Sequence, residues 1–159
     1  MAAAQGAGVG EAVALVDEAA TLTLARQLAG FVRPGDFIAL SGDLGAGKTT
    51  LARGLLRALL ADPELEAPSP TFTLMQVYDG PGYPVVHADF YRLSSPAEAD
   101  EIGLDDYRQG AALLAEWPDR AGGFAHEPGC LTIRMETWEN GRRAIVEPGR
   151  LWQERRLWT

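Results

Sequence analysis

The sequence has one cysteine, Cys130, and only two histidines among its 159 residues. A single thiol cannot form an internal disulfide, which excludes a disulfide-stabilised secreted scaffold and favours a cytoplasmic protein. His126 and Cys130 have no partners at metal-ligand spacing, so no metal site built on histidine and cysteine is expected. Because no apolar run is long enough to cross a bilayer, no membrane association is expected.

Positive charge is also scarce: 14 basic residues stand against 22 acidic ones, a net charge of −8. A protein that holds nucleic acid unaided usually presents a basic face. A local patch near the C-terminus is conceivable, although scattered, solvated arginines are the simpler interpretation. The residues concerned are Arg142, Arg143, Arg150, Arg155 and Arg156. If RNA is involved, another protein is expected to hold it.

The length of 159 residues suits one domain. Residues 1–10 are small and rich in glycine and alanine, without the basic start and long apolar run of a signal peptide. They are predicted to form a disordered N-terminal tail. Residues 11–159 are predicted to form the single domain.

The most informative segment that is present covers residues 37–60. Gly42, Gly47, Lys48 and Thr49 have the spacing of the phosphate-binding P-loop, G-x-x-x-x-G-K-T. A short apolar strand precedes this loop, and a helical pattern with leucines spaced by four follows it. This order predicts a site for ATP or GTP; an ordinary glycine turn before a helix is the alternative. The Asn-Lys-x-Asp segment that reads guanine in GTPases is absent, which favours adenine.

Each residue type in the loop suits a triphosphate. Backbone N–H groups of residues 44–50 can form an anion-binding nest, and the start of the helix adds its positive dipole end. Glycine permits backbone angles that a Cβ would forbid. Lys48 is expected to reach the β- and γ-phosphates, Thr49 to bind Mg²⁺ and Thr50 to donate to phosphate. The predicted nucleotide-binding residues of the loop are Gly45, Ala46, Gly47, Lys48, Thr49 and Thr50.

A P-loop site needs a carboxylate as a second anchor for Mg²⁺, and two strand ends supply candidates. Asp89 ends the apolar run 85–88, and Glu116 ends the run 111–115. Either could hold the ion or its waters while the other orients the attacking water. An ordinary cap or ion pair at a strand end is the alternative. His87 is expected to be structural rather than a base.

A proline-bracketed loop and two arginines are further candidates. Ser69, Thr71 and Thr73 could contact Mg²⁺ or sense the γ-phosphate, as switch loops do, with local turn capping as the alternative. Arg92 and Arg120 follow the two carboxylate strands, and either could be an internal arginine finger, although surface ion pairs are commoner.

The remaining patterns predict the architecture. Helices are expected over 17–32, after Ser95 as N-cap, and within 150–159; hairpins are expected over 71–89 and 131–146, the second with an Asn-Gly turn. The expected fold class is α/β: a mixed β-sheet of the P-loop NTPase type with flanking helices and antiparallel hairpins.

Five segments of the sequence occur together in one order. They are GDLGAGKTT (42–50), SPTFTL (69–74), HADFYRL (87–93), EIGLDDY (101–107) and EWPDR (116–120). In this combination the chain resembles the TsaE (YjeE) family of small bacterial P-loop ATPases over residues 17–146. The P-loop alone is generic, whereas the five segments together are highly specific.

The resemblance implies a role in forming N6-threonylcarbamoyladenosine at position 37 of tRNAs that read codons beginning with A. It implies a cytoplasmic protein that works with a TsaB–TsaD complex and meets tRNA only through that complex. ATP hydrolysis, slow in the isolated chain and stimulated by the partners, would reset the complex between turnovers.

The resemblance also implies roles for individual residues. Thr49 and Glu116 would be the Mg²⁺ ligands, and Lys48 the phosphate lysine. Asp89 would assist hydrolysis, and Trp117 would support the site. Glu18 and Arg142 would lie near the nucleotide, with a helix-start carboxylate and a hairpin arginine as alternatives. The tryptophan-containing tail, 150–159, matches no motif of the family.

Two other functions compete with this interpretation. A P-loop small-molecule kinase would need an arginine-rich lid and an acceptor pocket. A nucleotide-gated binding module would bind ATP without turnover.

Overall fold

A single seven-stranded sheet organises the computed structural model, which describes residues 10–43, 47–70 and 74–158. The strands are β1 (Glu11–Leu15), β2 (Phe37–Gly42), β3 (Met75–Asp79), β4 (Pro84–Asp89), β5 (Ala112–Glu116), β6 (Cys130–Trp138) and β7 (Gly141–Pro148). The helices are α1 (Glu18–Ala29), α2 (Lys48–Leu59), α3 (Ala97–Glu101), α4 (Leu104–Arg108) and α5 (Arg150–Gln153), with a 3₁₀ turn at Pro118–Ala121.

The spatial order of the strands is β1-β7-β6-β2-β5-β4-β3. The four central strands, β6, β2, β5 and β4, are parallel, whereas β3, β7 and β1 pair antiparallel with their neighbours. The carboxyl ends of parallel strands meet at one edge of a sheet, where α/β proteins bind their ligands. At this edge, Asp89 lies opposite Glu116 in the β4–β5 register.

Each face of the sheet is covered by its own hydrophobic cluster. In β2, Ile38 and Leu40 face the side of α1 and α2, while Phe37 and Ala39 face the cluster that includes Phe90 and Phe124. This alternation is the period of two expected for a strand buried on both faces.

The predicted fold class and most predicted elements are confirmed. Strand β2, the glycine loop and α2 follow one another as expected, and both hairpins, β3–β4 and β6–β7, are present. Helix α1 begins after Asp17, whose carboxylate caps it by accepting from the N–H of Ala20 at 2.8 Å.

Four details of the predicted elements were wrong. Strand β1 was not predicted and pairs with β7. Strand β3 begins at Met75; residues 71–73 of the predicted strand lie outside the described residues. In the β6–β7 hairpin, Trp138 pairs with Gly141, so the turn residues are 139 and 140. Helix α3 begins at Ala97, so Pro96 rather than Ser95 is at the N-cap position; the backbone N–H groups of 94 and 95 both donate to the Glu98 side chain.

The N-terminal tail predicted for residues 1–10 lies outside the described residues except for Gly10. The single-domain organisation of 11–159 stays a prediction. Within the described ranges, no helix combines the length and apolar character needed to cross a membrane.

Candidate nucleotide-binding site

A cleft of about 520 Å³ lies at the carboxyl edge of the parallel strands. Its lining residues are Gly47, Lys48, Thr49, Thr50, Ser69, Asp89, Tyr91, Glu116, Trp117 and Arg142. The fold therefore brings most of the predicted site residues together from distant parts of the chain. Of the others, Gly45, Ala46 and Thr71 lie outside the described residues, and Glu18 does not line this cleft.

The two described glycines of the P-loop signature both need a backbone that other residues rarely adopt. Gly42 has φ +133° and Gly47 has φ +99°. A Cβ at Gly42 would overlap the carbonyl oxygen of Met135 on the neighbouring strand, and one at Gly47 would lie 2.8 Å from Cδ of Arg142. Glycine thus lets the backbone at 42 and at 47 pass close to the β6–β7 hairpin.

Lys48, the first residue of α2, is the only lysine in the sequence. It is 6% exposed, and its Nζ has no hydrogen-bond partner among the described residues. Burial lowers the pKa of Lys48, and the nearby charges of Glu116, Asp89 and Asp43 partly oppose that shift. A buried ammonium without a hydrogen-bond acceptor is costly, so this position suits an anionic ligand.

Asp89 ends β4 with both carboxylate oxygens engaged. The hydroxyl of Ser69 donates to Oδ2 at 2.6 Å, and the backbone N–H of Tyr91 donates to Oδ1 at 3.0 Å. Ser69 belongs to the predicted switch loop, so this contact ties that loop to a candidate catalytic carboxylate.

Glu116 ends β5 and has a different partner. Its Oε2 lies 2.6 Å from Nε2 of His87, a residue of the adjacent strand β4. Both side chains are buried, at 4% and 1% exposure respectively. The two carboxylates that the sequence left equivalent are therefore held by different partners, a hydroxyl and an imidazole.

Trp117 follows Glu116 in a left-handed conformation, with φ 55° and ψ 52°. For a bulky residue this conformation is strained and is found mainly where surrounding structure enforces it. It places the ring centroid 3.7 Å from Nζ of Lys48 and 5.0 Å from the ring of Tyr91. The guanidinium of Arg120 lies 5.3 Å from the Tyr91 ring. The cleft thus has an aromatic wall.

A second cavity of about 230 Å³ shares Arg142 with the main cleft. Residues 14–16 and the tip of the β6–β7 hairpin, including Trp138, form its walls. Val16 is 76% exposed here, and Glu18 follows two residues later as the exposed first residue of α1. Glu18 is therefore close in sequence to this second cavity, although it lines neither space.

The residues of the cleft suit Mg²⁺ only together with a ligand that brings oxygen atoms. Throughout the part of the chain that the structure describes, no cluster of three or more histidine, cysteine, aspartate or glutamate residues could hold a metal alone. Magnesium is commonly held by one or two carboxylates, substrate phosphates and water. The Thr49 hydroxyl and the carboxylates of Asp89 and Glu116, which line one space, fit that pattern.

Two functional features were not found from the sequence alone. Tyr91 lines the cleft and was assigned no role, although its position two residues after Asp89 was a usable signal. The His87–Glu116 contact joins positions 29 residues apart and has no local signature.

The conceivable basic patch near the C-terminus is partly neutralised within the fold. Arg143 donates to Glu136 at 2.8 Å, and Arg155 is buried against Asp36. Scattered arginines are therefore the better description.

The chain is similar to proteins of known family. The sequence model of the family described as "Threonylcarbamoyl adenosine biosynthesis protein TsaE" matches residues 15–145. The tRNA threonylcarbamoyladenosine biosynthesis protein TsaE of Rickettsia conorii is 34% identical over 129 residues, which are 81% of this chain and 73% of that protein. The corresponding Bacillus subtilis protein is 40% identical over 98 residues, 61% of this chain and 60% of that protein. The crystal structure of YdiB from Bacillus subtilis aligns with a TM-score of 0.70 and 28% identity, covering 91% of this chain and 90% of that one.

Proposed function

The chain belongs to the TsaE family of threonylcarbamoyl adenosine biosynthesis proteins, and from this premise we propose that it is a Mg²⁺-dependent ATPase acting with a TsaB–TsaD complex in tRNA modification. The observation that carries the proposal is the buried Nζ of Lys48, which has no hydrogen-bond partner among the described residues. It lies at the start of α2, in a cleft that also holds two strand-end carboxylates.

The triphosphate would bind along the P-loop and the first turn of α2. Lys48 supplies the charge, while the backbone N–H groups at the start of α2 face the anion together with the positive end of the helix dipole. The base would extend past Arg142 toward the second cavity, where Trp138 offers an aromatic surface. The absence of the guanine-reading segment from the sequence favours ATP over GTP.

Thr49 and Glu116 would hold Mg²⁺, with the carboxylate acting directly or through water. When bound, the ion would neutralise charge that develops on the phosphates during transfer. Asp89 lies opposite Glu116 in register and would orient the attacking water, since Ser69 and Tyr91 fix the direction of its carboxylate.

Partner dependence is supported by charge. With a net charge of −8 and its arginines dispersed, the chain is poorly suited to hold tRNA by itself. A nucleotide-driven component of a larger complex fits better, and the TsaB–TsaD complex would then provide the contacts with tRNA.

The test is Mg²⁺-dependent release of inorganic phosphate from ATP, measured for the chain alone and with the TsaB–TsaD pair. We expect slow hydrolysis that rises when the pair is added. Transfer of the γ-phosphate to a small acceptor molecule would instead indicate the alternative function, a P-loop small-molecule kinase. Tight binding without hydrolysis, even with the pair present, would indicate a nucleotide-gated module.

Site variants connect the activity to the cleft. Lys48→Ala removes a charge-assisted contact of about 1.5–3 kcal/mol, which corresponds to roughly ten- to a hundred-fold weaker ATP binding. Glu116→Gln should reduce hydrolysis more than binding. Arg150→Ala, at an exposed residue of α5, is the control and should match the wild type. Unchanged ATP affinity in Lys48→Ala would refute the placement of the nucleotide.

A further inference from the structure

We propose that His87 is a positioning residue that holds the Glu116 carboxylate in the orientation needed for metal-dependent nucleotide binding. This inference rests on the proposed function, because it concerns the metal that would accompany ATP. It gives a role in the site to a side chain that does not line the cleft.

The strand geometry places His87 farther from the carboxyl edge of the sheet than the Asp89 and Glu116 carboxylates. Strands β4 and β5 are adjacent and parallel, with Asp89 opposite Glu116 and His87 opposite Leu114. Residues two apart on a strand point to the same face, so His87 and Asp89 share a face of β4. His87 is therefore one step deeper in the sheet than the cleft, with its Nε2 2.6 Å from Oε2 of Glu116.

The contact restricts Glu116 because both groups are buried. A buried carboxylate needs hydrogen-bond partners, and a short bond to an equally buried ring fixes its rotation. The contact uses Oε2 of Glu116. The contact between the imidazole ring of His87 and Oε2 thus fixes the orientation of the Glu116 carboxylate, and with it the position of Oε1, in the cleft that Glu116 lines.

The other ring nitrogen indicates that the imidazole is committed to this contact. Nδ1 of His87 is buried and has no hydrogen-bond partner among the described residues. We assign a hydrogen to Nε2, so that Nε2 donates to Oε2 of Glu116. A histidine serving only as core packing gains nothing from a buried ring nitrogen without a partner, whereas groups that orient metal ligands are commonly retained for that purpose.

The test measures metal binding separately from nucleotide binding. Mn²⁺ affinity is measured by electron paramagnetic resonance on protein loaded with a non-hydrolysable ATP analogue, and the affinity for the analogue alone is measured in EDTA. We expect His87→Leu to weaken Mn²⁺ binding by about 10–100-fold, the usual effect of losing a group that orients a metal ligand. The affinity in EDTA should stay at the wild-type value.

The chain offers a matched control and a graded pair of substitutions. His126, the only other histidine, is exposed, so His126→Leu should leave both affinities unchanged. The amide nitrogen of Gln can reach the position of Nε2, whereas that of Asn is one methylene too short. His87→Gln should therefore restore most of the Mn²⁺ affinity and His87→Asn should not. This pair decides the question even if the Leu variant does not fold.

A double-mutant cycle tests whether His87 acts through Glu116. In a Glu116→Gln background, His87→Asn should cause no further loss of Mn²⁺ affinity, because the group that it positions is gone. Additive losses would mean that His87 acts independently, and the inference would fail.

The failures of the two proposals can be told apart. If the loaded wild type binds no Mn²⁺, the proposed Mg²⁺·ATP site fails, and the role of His87 fails with it. If the wild type binds Mn²⁺ and Glu116→Gln does not, while His87→Asn binds normally, only the role of His87 is overturned. Equal losses of analogue affinity with and without metal would indicate a merely structural histidine and overturn it too.

Discussion

Lys48 and Trp117 form a contact that the proposed nucleotide would alter. The ammonium lies 3.7 Å from the centre of the indole ring, and a cation–π contact is worth about 0.5–2 kcal/mol. The left-handed backbone of Trp117 costs about 1–3 kcal/mol, so the surrounding structure must enforce this placement. Phosphate attracts the ammonium more strongly than the ring does. If ATP binds as proposed, the environment of the Trp117 indole should therefore change.

This contact predicts a fluorescence signal. Addition of Mg²⁺·ATP should change the tryptophan emission of the wild type, because Lys48 shifts from the indole toward the phosphates. Trp117→Phe should remove most of that change. The measurement is a steady-state titration with ATP.

The matched control is Trp158→Phe, since Trp158 packs against the hydrophobic core and does not line the cleft. This variant should keep the nucleotide-dependent change. A full response in Trp117→Phe would contradict the coupling between Lys48 and Trp117.

At the same scale, the sequence located the chemical groups and left their partners open. The P-loop was predictable because its glycines, lysine and threonine all lie within residues 42–49, and each has a local reason for its position. Asp89 and Glu116 were recognised as strand-end carboxylates. Their different environments come from Ser69, 20 residues from Asp89, and from His87, 29 residues from Glu116. The second of these contacts forms only once β4 and β5 are side by side.

At the scale of elements, strand β1 shows why a short edge strand can be missed. Its sequence EAVAL contains two alanines and adjoins an alanine-rich start and a strong helix signal. Its pairing partner, β7, is more than a hundred residues away in sequence. Strand β2 and helix α2 carry their own signals, an apolar run and a leucine repeat, and were predicted.

The C-terminal segment is a second element whose role only the structure supplies. Trp152 of α5 is fully buried, and its indole N–H donates to the carbonyl of Gly129 at 2.8 Å. Arg155 pairs through both Nη atoms with Asp36, in the turn before β2, and also donates to the carbonyl of Phe31. The C-terminal segment 150–158 therefore packs against residues 31–36, which lead into strand β2.

The buried Arg155–Asp36 ion pair predicts a large loss of stability when the Arg155 side chain is removed. Arg155→Ala would leave the Asp36 carboxylate buried without its charged partner, and should lower the free energy of unfolding by about 3–5 kcal/mol. The measurement is urea denaturation followed by circular dichroism. Arg150→Ala, at an exposed arginine in the same tail, should change the free energy by no more than about 0.5 kcal/mol. Equal effects of the two substitutions would show that the ion pair contributes little.

Across the whole molecule, one sheet edge collects residues from the P-loop, the 68–70 loop, the ends of β4 and β5, and the β6–β7 hairpin. The mixed sheet with flanking helices was predicted from the strand–loop–helix pattern and the two hairpins. The strand order was not, because it depends on which buried faces pack best together. We therefore expect the central strands and the site to fold in one event, since β2, β4 and β5 supply both.

Cys130 can report on that event. It begins β6 opposite Phe37 of β2, in the centre of the sheet, and is 1% exposed. Burial raises the pKa of the Cys130 thiol, which suppresses the reactive thiolate in the folded state. We expect no reaction with an aromatic disulfide reagent in native buffer, and one equivalent of thiol on unfolding in guanidinium. Because central strands open only with global unfolding, slow labelling under native conditions should follow the population of the unfolded state.

Bound nucleotide should then slow the labelling of Cys130 although it makes no contact with this residue. A ligand that binds only the folded state at a hundred times its dissociation constant stabilises the protein by about 2.7 kcal/mol, which lowers the unfolded population about a hundred-fold. Mg²⁺·ADP at that excess should slow labelling of the wild type to that extent. The same concentration should protect Lys48→Ala far less, because its ligand affinity is reduced. Fast labelling of the wild type in native buffer, unaffected by nucleotide, would show that β6 opens locally and that the site and the central sheet do not unfold together.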